Sequence, residues 1–487
     1  GGPPGRGGPP GHGGPGQEQG LLTVTPEHWT PRGEVFASGR EGRKDLLVWK
    51  GIPGERGRVR LGQKGGRYQY ATWLEPFEDV HPGRVKPPCD RYGPCGSCPL
   101  MHVDGPTQRE ARRFLVQQEM DQAGVEHRVE PVVESPLEDF RHVVKLLAGY
   151  SERGQPQLGA PGRFQRRVVP IPRCHVVTPQ LRLLTGSAAH HMLELEIHPF
   201  DGQRGLLRYI QARQSRLTGE IMVTFVATRS NGLLRQFAES LCNEFVVGVH
   251  LHVNTRDDNA IFDRDEDGEI NLERLAGSRT MLDEIAGVKV QVGPASFFQT
   301  NPALADRMFR DVLDLAELEE GVPVIDLYSG LGALTIAAAR RTGWAMGIEE
   351  NASAHRLARA SSQTLNAPAE FQQGQVLELL PKLNQRLKDR RPVVIVDPAR
   401  RGLEDGVAEA IRALDPRKVV YISCSPSNLA RDLGGFLAEG WTVDTLRPYD
   451  MFPNTPHVEV VAVLLPPDGG RGPMKRGPRR KVIARKK

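Results

Sequence analysis

Between residues 291 and 467 the chain repeats one rhythm four times: a short apolar run, a polar turn, then a stretch able to form a helix. "VPVIDLYSG" leads into "ALTIAAARR", "WAMGIEE" into "ASAHRLARASSQTL", "PVVIVDPAR" into "GVAEAIRAL", and "KVVYISCS" into "SNLARDLGGFL". Alternation of this kind predicts a doubly wound, mostly parallel sheet with helices on both faces. Ligands of such sheets bind beyond the carboxyl ends of the strands, where loops and helix N-termini converge. The strand ends here carry Asp326, Tyr328 and Gly330, then Glu349, then Asp397, then Cys424. Four consecutive strands therefore deliver polar or reactive groups to one rim.

The turn "DLYSGLGALTI" contains Gly330 and Gly332, which let backbone approach a ligand. Glu349 ends the next strand, where a carboxylate can accept hydrogen bonds from ribose hydroxyls. Together they point to a cofactor containing adenosine. Thr335 stands where a dinucleotide fingerprint needs its third glycine, which disfavours NAD. Asp397 in "VDPARRG" can accept hydrogen bonds from a base edge or a cofactor, or can simply cap a helix. Cys424, in "YISCSPSNLARDL", is by itself either a nucleophile or a small packed side chain.

A chain of 487 residues exceeds what one core usually supports, so two or three domains are expected. Residues 1–19, nearly all Gly and Pro, read as a flexible leader. Residues 20–80 hold several short β-like runs and suggest a small barrel. Its segment "GERGRVRLGQKGGRYQY" interleaves Arg56, Arg58, Arg60, Lys64 and Arg67 with Tyr68 and Tyr70, a mixture that suits an RNA-binding face or a charged exposed hairpin. "PTQREARRFLVQQEMDQAG" predicts an amphipathic helix with Phe114, Leu115 and Met120 toward a core. Residues 81–290 are expected to form a mixed α/β domain that includes a cysteine segment. No apolar run is long enough to cross a bilayer and no signal-type start is present, so a cytoplasmic protein without membrane contact is expected. Nine of the Lys and Arg residues lie in residues 471–487, so the formal charge of +5 leaves the rest of the chain at −4. The body is thus no uniformly basic nucleic-acid binder. The tail, 468–487, reads as a disordered arm able to touch a polyanion such as RNA.

Three of the six cysteines, Cys89, Cys95 and Cys98, crowd together with Gly96 allowing a tight turn, and "IPRCHVV" offers Cys174 as a fourth thiolate. Four thiolates suit zinc or a [4Fe-4S] cluster, and His102 could replace Cys174 in a zinc site. Cys242 falls in a helical pattern and is expected to pack in a core.

"SFFQTNP" (296–302), "DLYSGLGALTI" (326–336), "DPARRG" (397–402), "SCSPSNLARDL" (423–433) and "DMFPNTPHVEVVAVL" (450–464) resemble, in order, the motifs of the RNA uridine-C5 methyltransferases. The resemblance spans about residues 20–467. It implies a Rossmann-like methyltransferase domain at 291–467 that uses S-adenosyl-L-methionine, and a TRAM-like barrel at 20–80. It implies Cys424 as the nucleophile that attacks C6 of uracil and Glu459 as the base that removes the C5 proton. Gln299, Tyr328, Gly330, Gly332, Glu349, Gln375 and Asp397 are the positions implied to contact the cofactor or its surroundings. Cys89, Cys95, Cys98 and Cys174 match the family's iron–sulfur site. Barrel and cysteine segment together are most similar to the ribosomal branch acting on 23S rRNA, because the tRNA branch generally lacks both. The chain departs from the family at Ser425, where many members carry Asn beside the nucleophile, and at Ala333. No obligate protein partner is expected. The rival expectations are a nucleotide-dependent iron–sulfur oxidoreductase and a non-catalytic RNA-binding assembly factor.

Overall fold

The computed structural model describes residues 20–39, 42–77, 79–163, 167–256, 261–265, 269–387 and 390–470. The Gly/Pro leader and the basic tail from Arg471 onward lie outside the described residues. The chain divides into two compact units, one running to Arg84 and one from Val85.

In the N-terminal unit, where the short β-like runs suggest a small barrel, the described residues form a six-stranded sheet, antiparallel but for one parallel pair. Gly57–Lys64 alternates in burial, so Val59 faces the core while Arg58 and Arg60 face solvent. The Arg56 and Arg58 guanidinium groups lie 5.8 and 5.9 Å from the Phe77 ring, and that of Arg67 lies 5.4 Å from Tyr68. Cations and rings thus share a surface.

The second unit starts with the cysteine segment and the helix Gly105–Gln122. Asp104 caps that helix by accepting a hydrogen bond from the Thr107 amide at 2.9 Å, and Pro106 sits in its first turn. Its buried face is Gln108, Ala111, Arg112, Leu115, Val116 and Met120. Phe114, expected toward the core, is 41% exposed. It lies off the face shared by 108, 112, 115 and 116, and the polar Arg112 occupies the inward position instead. Arg112 reaches Asp450 at 3.1 Å in an ion pair whose side chains are both 0% exposed.

A mixed seven-stranded sheet follows, covered by the helices Pro179–Glu194 and Gly232–Leu241. Cys242 ends the second helix, half-buried against that core.

The C-terminal sheet runs, in spatial order, Ala369–Gln373, Ala345–Glu349, Val324–Leu327, Val393–Val396, Lys418–Ser423, Glu459–Leu465, Thr442–Tyr449. The first five are parallel; Glu459–Leu465 is antiparallel to both of its neighbours. Its three central strands are buried throughout, as continuous Val/Ile runs require. This is the doubly wound, Rossmann-like sheet expected over 291–467. Strand order reverses between Val324–Leu327 and Val393–Val396, which opens a crevice at their carboxyl ends.

Candidate active site

Gln299, Asp326, Tyr328, Gly330, Glu349, Asp397, Cys424 and Glu459 all line one cavity of about 550 Å³ at that crevice. Gly330 takes φ +54°, and its amide donates to Glu349 Oε2 at 2.8 Å. The other oxygen of Glu349 accepts from the Asn351 amide at 2.7 Å. The carboxylate is thereby fixed at the end of its strand with lone pairs left for a ligand's hydroxyls. Tyr328 adopts φ +61°, a conformation rare for a bulky residue and typical of strained functional turns. Its hydroxyl donates to Glu404 at 3.2 Å, and burial together with Glu404 pushes its proton affinity up.

Antiparallel geometry explains how Glu459 comes to face Cys424. Ser423 pairs with Val460, so the start of one strand meets the end of the other on the same rim. Alternation with Val458 and Val460 suggests a solvent-facing Glu459, yet Glu459 is 5% exposed. The strand lies inside the sheet and is covered on both faces, so alternation does not apply to it.

The cavity wall is acidic. Burial pushes Asp326 up to about 7 against the opposing hydrogen bond from the Thr335 hydroxyl at 2.5 Å. Burial, then Asp326, pushes Asp397 up to about 7 as well. Burial and Asp397 raise Glu459 well above the usual carboxylate range. Burial first, then Glu459, pushes the Cys424 thiol up to about 11, while Arg400 opposes the shift. Such a wall favours a ligand that brings positive charge, and that charge would in turn promote the thiolate.

Gly332 and Gln375, two of the positions implied to meet a cofactor, do not line the cavity. Gly332 serves the backbone: at φ +78° it precedes the helix Ala333–Thr342, and a Cβ there would sit 2.5 Å from the Phe371 ring. Gln375 is exposed in the turn after the edge strand Ala369–Gln373, beside the helix Val376–Leu387. Conversely, Arg264, Asn351 and Arg400 line the cavity without having been singled out. Asn351 had a local signal, since an Asn after a strand and before a helix marks an N-cap, and it accepts from the Ala354 amide at 2.8 Å. Arg264 precedes the C-terminal sheet in the chain and has no local signal.

A second cavity, of about 250 Å³, is lined by Cys89, Cys95, Cys98 and Cys174 together with Arg91, Arg141, Lys145 and Arg173. Burial, then Cys174 and Cys95, pushes Cys98 up to about 12. Burial raises Cys89 and Cys174 as well, so these three thiols hold their protons unless a cationic centre replaces them. Among the described residues, no three His, Cys, Asp or Glu side chains converge on a point as one metal ion requires. His102, the alternative zinc ligand, is not in the lining; its Nδ1 is 2.8 Å from the Tyr92 hydroxyl.

The family model described as tRNA (Uracil-5-)-methyltransferase matches residues 216–466. An uncharacterised RNA methyltransferase of Gloeobacter violaceus is 31% identical over 442 residues, covering 89% of this chain and 93% of the relative. One from Nostoc sp. is 31% identical, covering 89% and 94%. The crystal structure of the Pyrococcus abyssi tRNA (uracil-54, C5)-methyltransferase with S-adenosyl-L-homocysteine superposes with a TM-score of 0.72 at 26% identity, covering 91% of this chain and 99% of that one. That tRNA (uracil-54, C5)-methyltransferase and this chain thus share most of their architecture. With more than half its length matched by one family model and these relatives aligned almost end to end, the chain belongs to the tRNA (uracil-5-)-methyltransferase family.

Proposed function

We propose that this protein methylates C5 of a uridine in RNA, with S-adenosyl-L-methionine as methyl donor and 23S rRNA as substrate. The observation that carries this reading is the meeting of Cys424 and Glu459 on one cavity wall with Asp397 and the Gly330–Glu349 turn. Gln299, Tyr328, Gly330 and Glu349 are the residues to hold the cofactor, which supplies an electrophilic methyl group when bound. C5 of uracil is a weak nucleophile. Addition of the Cys424 thiolate to C6 turns the C4–C5 unit into an enolate whose C5 can accept the methyl group. Asp397, beside that position, can hydrogen-bond the base edge. Glu459 then takes the C5 proton, and the Cys424 sulfur leaves C6 with its electron pair to restore the ring. Access to C5 and C6 requires the base to be flipped out of its stack into the cavity.

The N-terminal unit is the TRAM-like RNA grip, supported by the cations and rings of its outer face. We assign residues 20–80 to it, 81–290 to the central domain and 291–467 to the methyltransferase domain. The four-cysteine cavity is assigned to a [4Fe-4S] cluster held by Cys89, Cys95, Cys98 and Cys174. Iron and a broad visible absorbance in anaerobically purified protein are expected; a colourless protein containing zinc alone overturns the cluster.

One observation favours a second substrate, tRNA: the superposed structure of 26% identity is that of a tRNA enzyme. The test is incubation with labelled cofactor and either unmodified 23S rRNA or unmodified tRNA, followed by nucleoside digestion. Label in 5-methyluridine from 23S rRNA supports the proposal, label only from tRNA moves the substrate, and no 5-methyluridine from either ends it. The oxidoreductase reading has the family match against it. The assembly-factor reading leaves the pairing of Cys424 with Glu459 without a purpose.

A further inference from the structure

The turn after the nucleophile is built unusually. Ser425 is the N-cap of the helix Pro426–Leu437, yet its hydroxyl caps no backbone amide. Instead it accepts a hydrogen bond from the Asn428 side chain, Nδ2 to Oγ at 3.0 Å. The same Nδ2 group donates to the Arg400 carbonyl at 2.8 Å. Asn428 Oδ1 faces Arg431 Nη1 at 3.4 Å, which leaves the amide one orientation. The Arg400 oxygen can only accept, so the NH₂ end must face it.

These bonds join two separate strand ends. Arg400 belongs to the loop that begins at Asp397, and Ser425 directly follows Cys424. Asn428 stands between them, on the helix that the nucleophile strand feeds. Neighbouring bonds brace the same loop from the same helix: Arg431 donates to the Arg401 carbonyl at 2.9 Å, and the Leu403 amide donates to Asp432 at 2.8 Å. These grip the loop farther from the cavity than Asn428 does. An amide NH₂ donates two hydrogen bonds from one nitrogen without adding charge, which suits this gap.

We propose that Asn428 is a positioning residue for methyl transfer: it ties the Arg400 carbonyl to Ser425 and so sets the spacing between the Asp397–Arg400 rim and the Cys424 sulfur. It supplies from position 428 the amide that the family resemblance leads one to expect at 425. This rests on the uridine-C5 reading above.

The test compares wild type, N428A, N428D and the double variant S425N/N428A. Single-turnover methylation is measured alongside the Kd for S-adenosyl-L-homocysteine, which reports an intact fold. N428A lowers the single-turnover rate about tenfold or more, the loss of one to two aligned hydrogen bonds, and leaves the Kd within about twofold of wild type. N428D, which keeps the shape but removes both donors, behaves alike and carries the test if N428A does not fold. S425N/N428A recovers most of the rate, because an amide at 425 reaches the space that residue 428 vacates. A rate in both single variants within twofold of wild type overturns the proposal, as does a double variant no faster than N428A. If wild type forms no 5-methyluridine in any RNA, the uridine-C5 reading falls and a second readout decides. The pH midpoint for alkylation of Cys424, followed by peptide mapping, then rises in N428A as the Arg400 charge loosens, and returns in the double variant. An unmoved midpoint overturns the positioning role.

Discussion

Replacing Glu459 by Gln separates the two tasks assigned to the Cys424–Glu459 pair. The Cys424 thiol is pushed up to about 11 from an ordinary 9.0, with burial as the first cause and Glu459 as the second. At pH 8 that gap leaves it about one hundredth of the thiolate of an ordinary cysteine. Gln keeps the volume of Glu459 and removes the charge that the thiol meets as it ionises in alkaline solution. Burial remains, so only part of the shift is relieved, and the alkylation midpoint of Cys424 falls without reaching that of an ordinary cysteine. The assay is the pH dependence of iodoacetamide alkylation, read at the Cys424 peptide by mass spectrometry. A midpoint that stays or rises in E459Q refutes the electrostatic reading of the site. The same variant lacks the base for the C5 proton, so with RNA and cofactor it accumulates a methylated covalent complex that survives a denaturing gel. Release of 5-methyluridine at the wild-type rate refutes the role of Glu459.

The Arg112–Asp450 pair gives a stability prediction. Both side chains are 0% exposed, and neither Asp450 oxygen accepts a hydrogen bond among the described residues. R112M strands a buried carboxylate and costs about 3–5 kcal/mol, whereas R112M/D450L recovers most of it; thermal midpoints of the three proteins check this. Asp326 and Asp397 are both raised from 3.8 to about 7. A carboxyl raised by folding contributes stability that is complete below pH 4 and is lost as pH climbs through about 7. Unliganded protein should therefore be less stable at pH 8 than at pH 5, by up to about 3 kcal/mol per carboxyl, and D397N should remove part of that slope. G332A should cost about 1–3 kcal/mol through its left-handed backbone alone, and more through the 2.5 Å approach to Phe371. Calorimetric titration should then show weaker S-adenosyl-L-homocysteine binding, although Gly332 is outside the cavity lining.

Much of the site was legible because its residues obey a local rule. Tyr328, Gly330, Glu349, Asp397 and Cys424 each end a buried strand of the C-terminal sheet, and a parallel sheet sends all such ends to one rim. Glu459 escaped periodicity because alternation detects half-buried strands, and its strand is covered on both faces. The family motif, rather than the residue pattern, pointed to it. Phe114 was misplaced because an amphipathic stripe gives no hint that an Arg takes the inward position to meet Asp450, which lies far along the chain. Arg264, Ile270 and Leu272 reach the cavity from a segment that precedes the C-terminal sheet in the chain, a tertiary fact without local trace. The four cysteines were legible as a group, but their gathering around a cavity with Arg91, Arg141, Lys145 and Arg173 needed the fold.

The most direct test of the proposed chemistry is peptide mapping of the complex formed with cofactor and RNA containing 5-fluorouridine. Fluorine at C5 cannot be removed as a proton, so the reaction should stop with the base bonded through C6 to sulfur and bearing the transferred methyl group. The predicted result is one modified peptide, containing Cys424 and carrying methylated fluorouridine, that disappears in C424A. A complex on another cysteine, or 5-methyluridine formed by C424A on ordinary RNA, would contradict the nucleophilic role of Cys424.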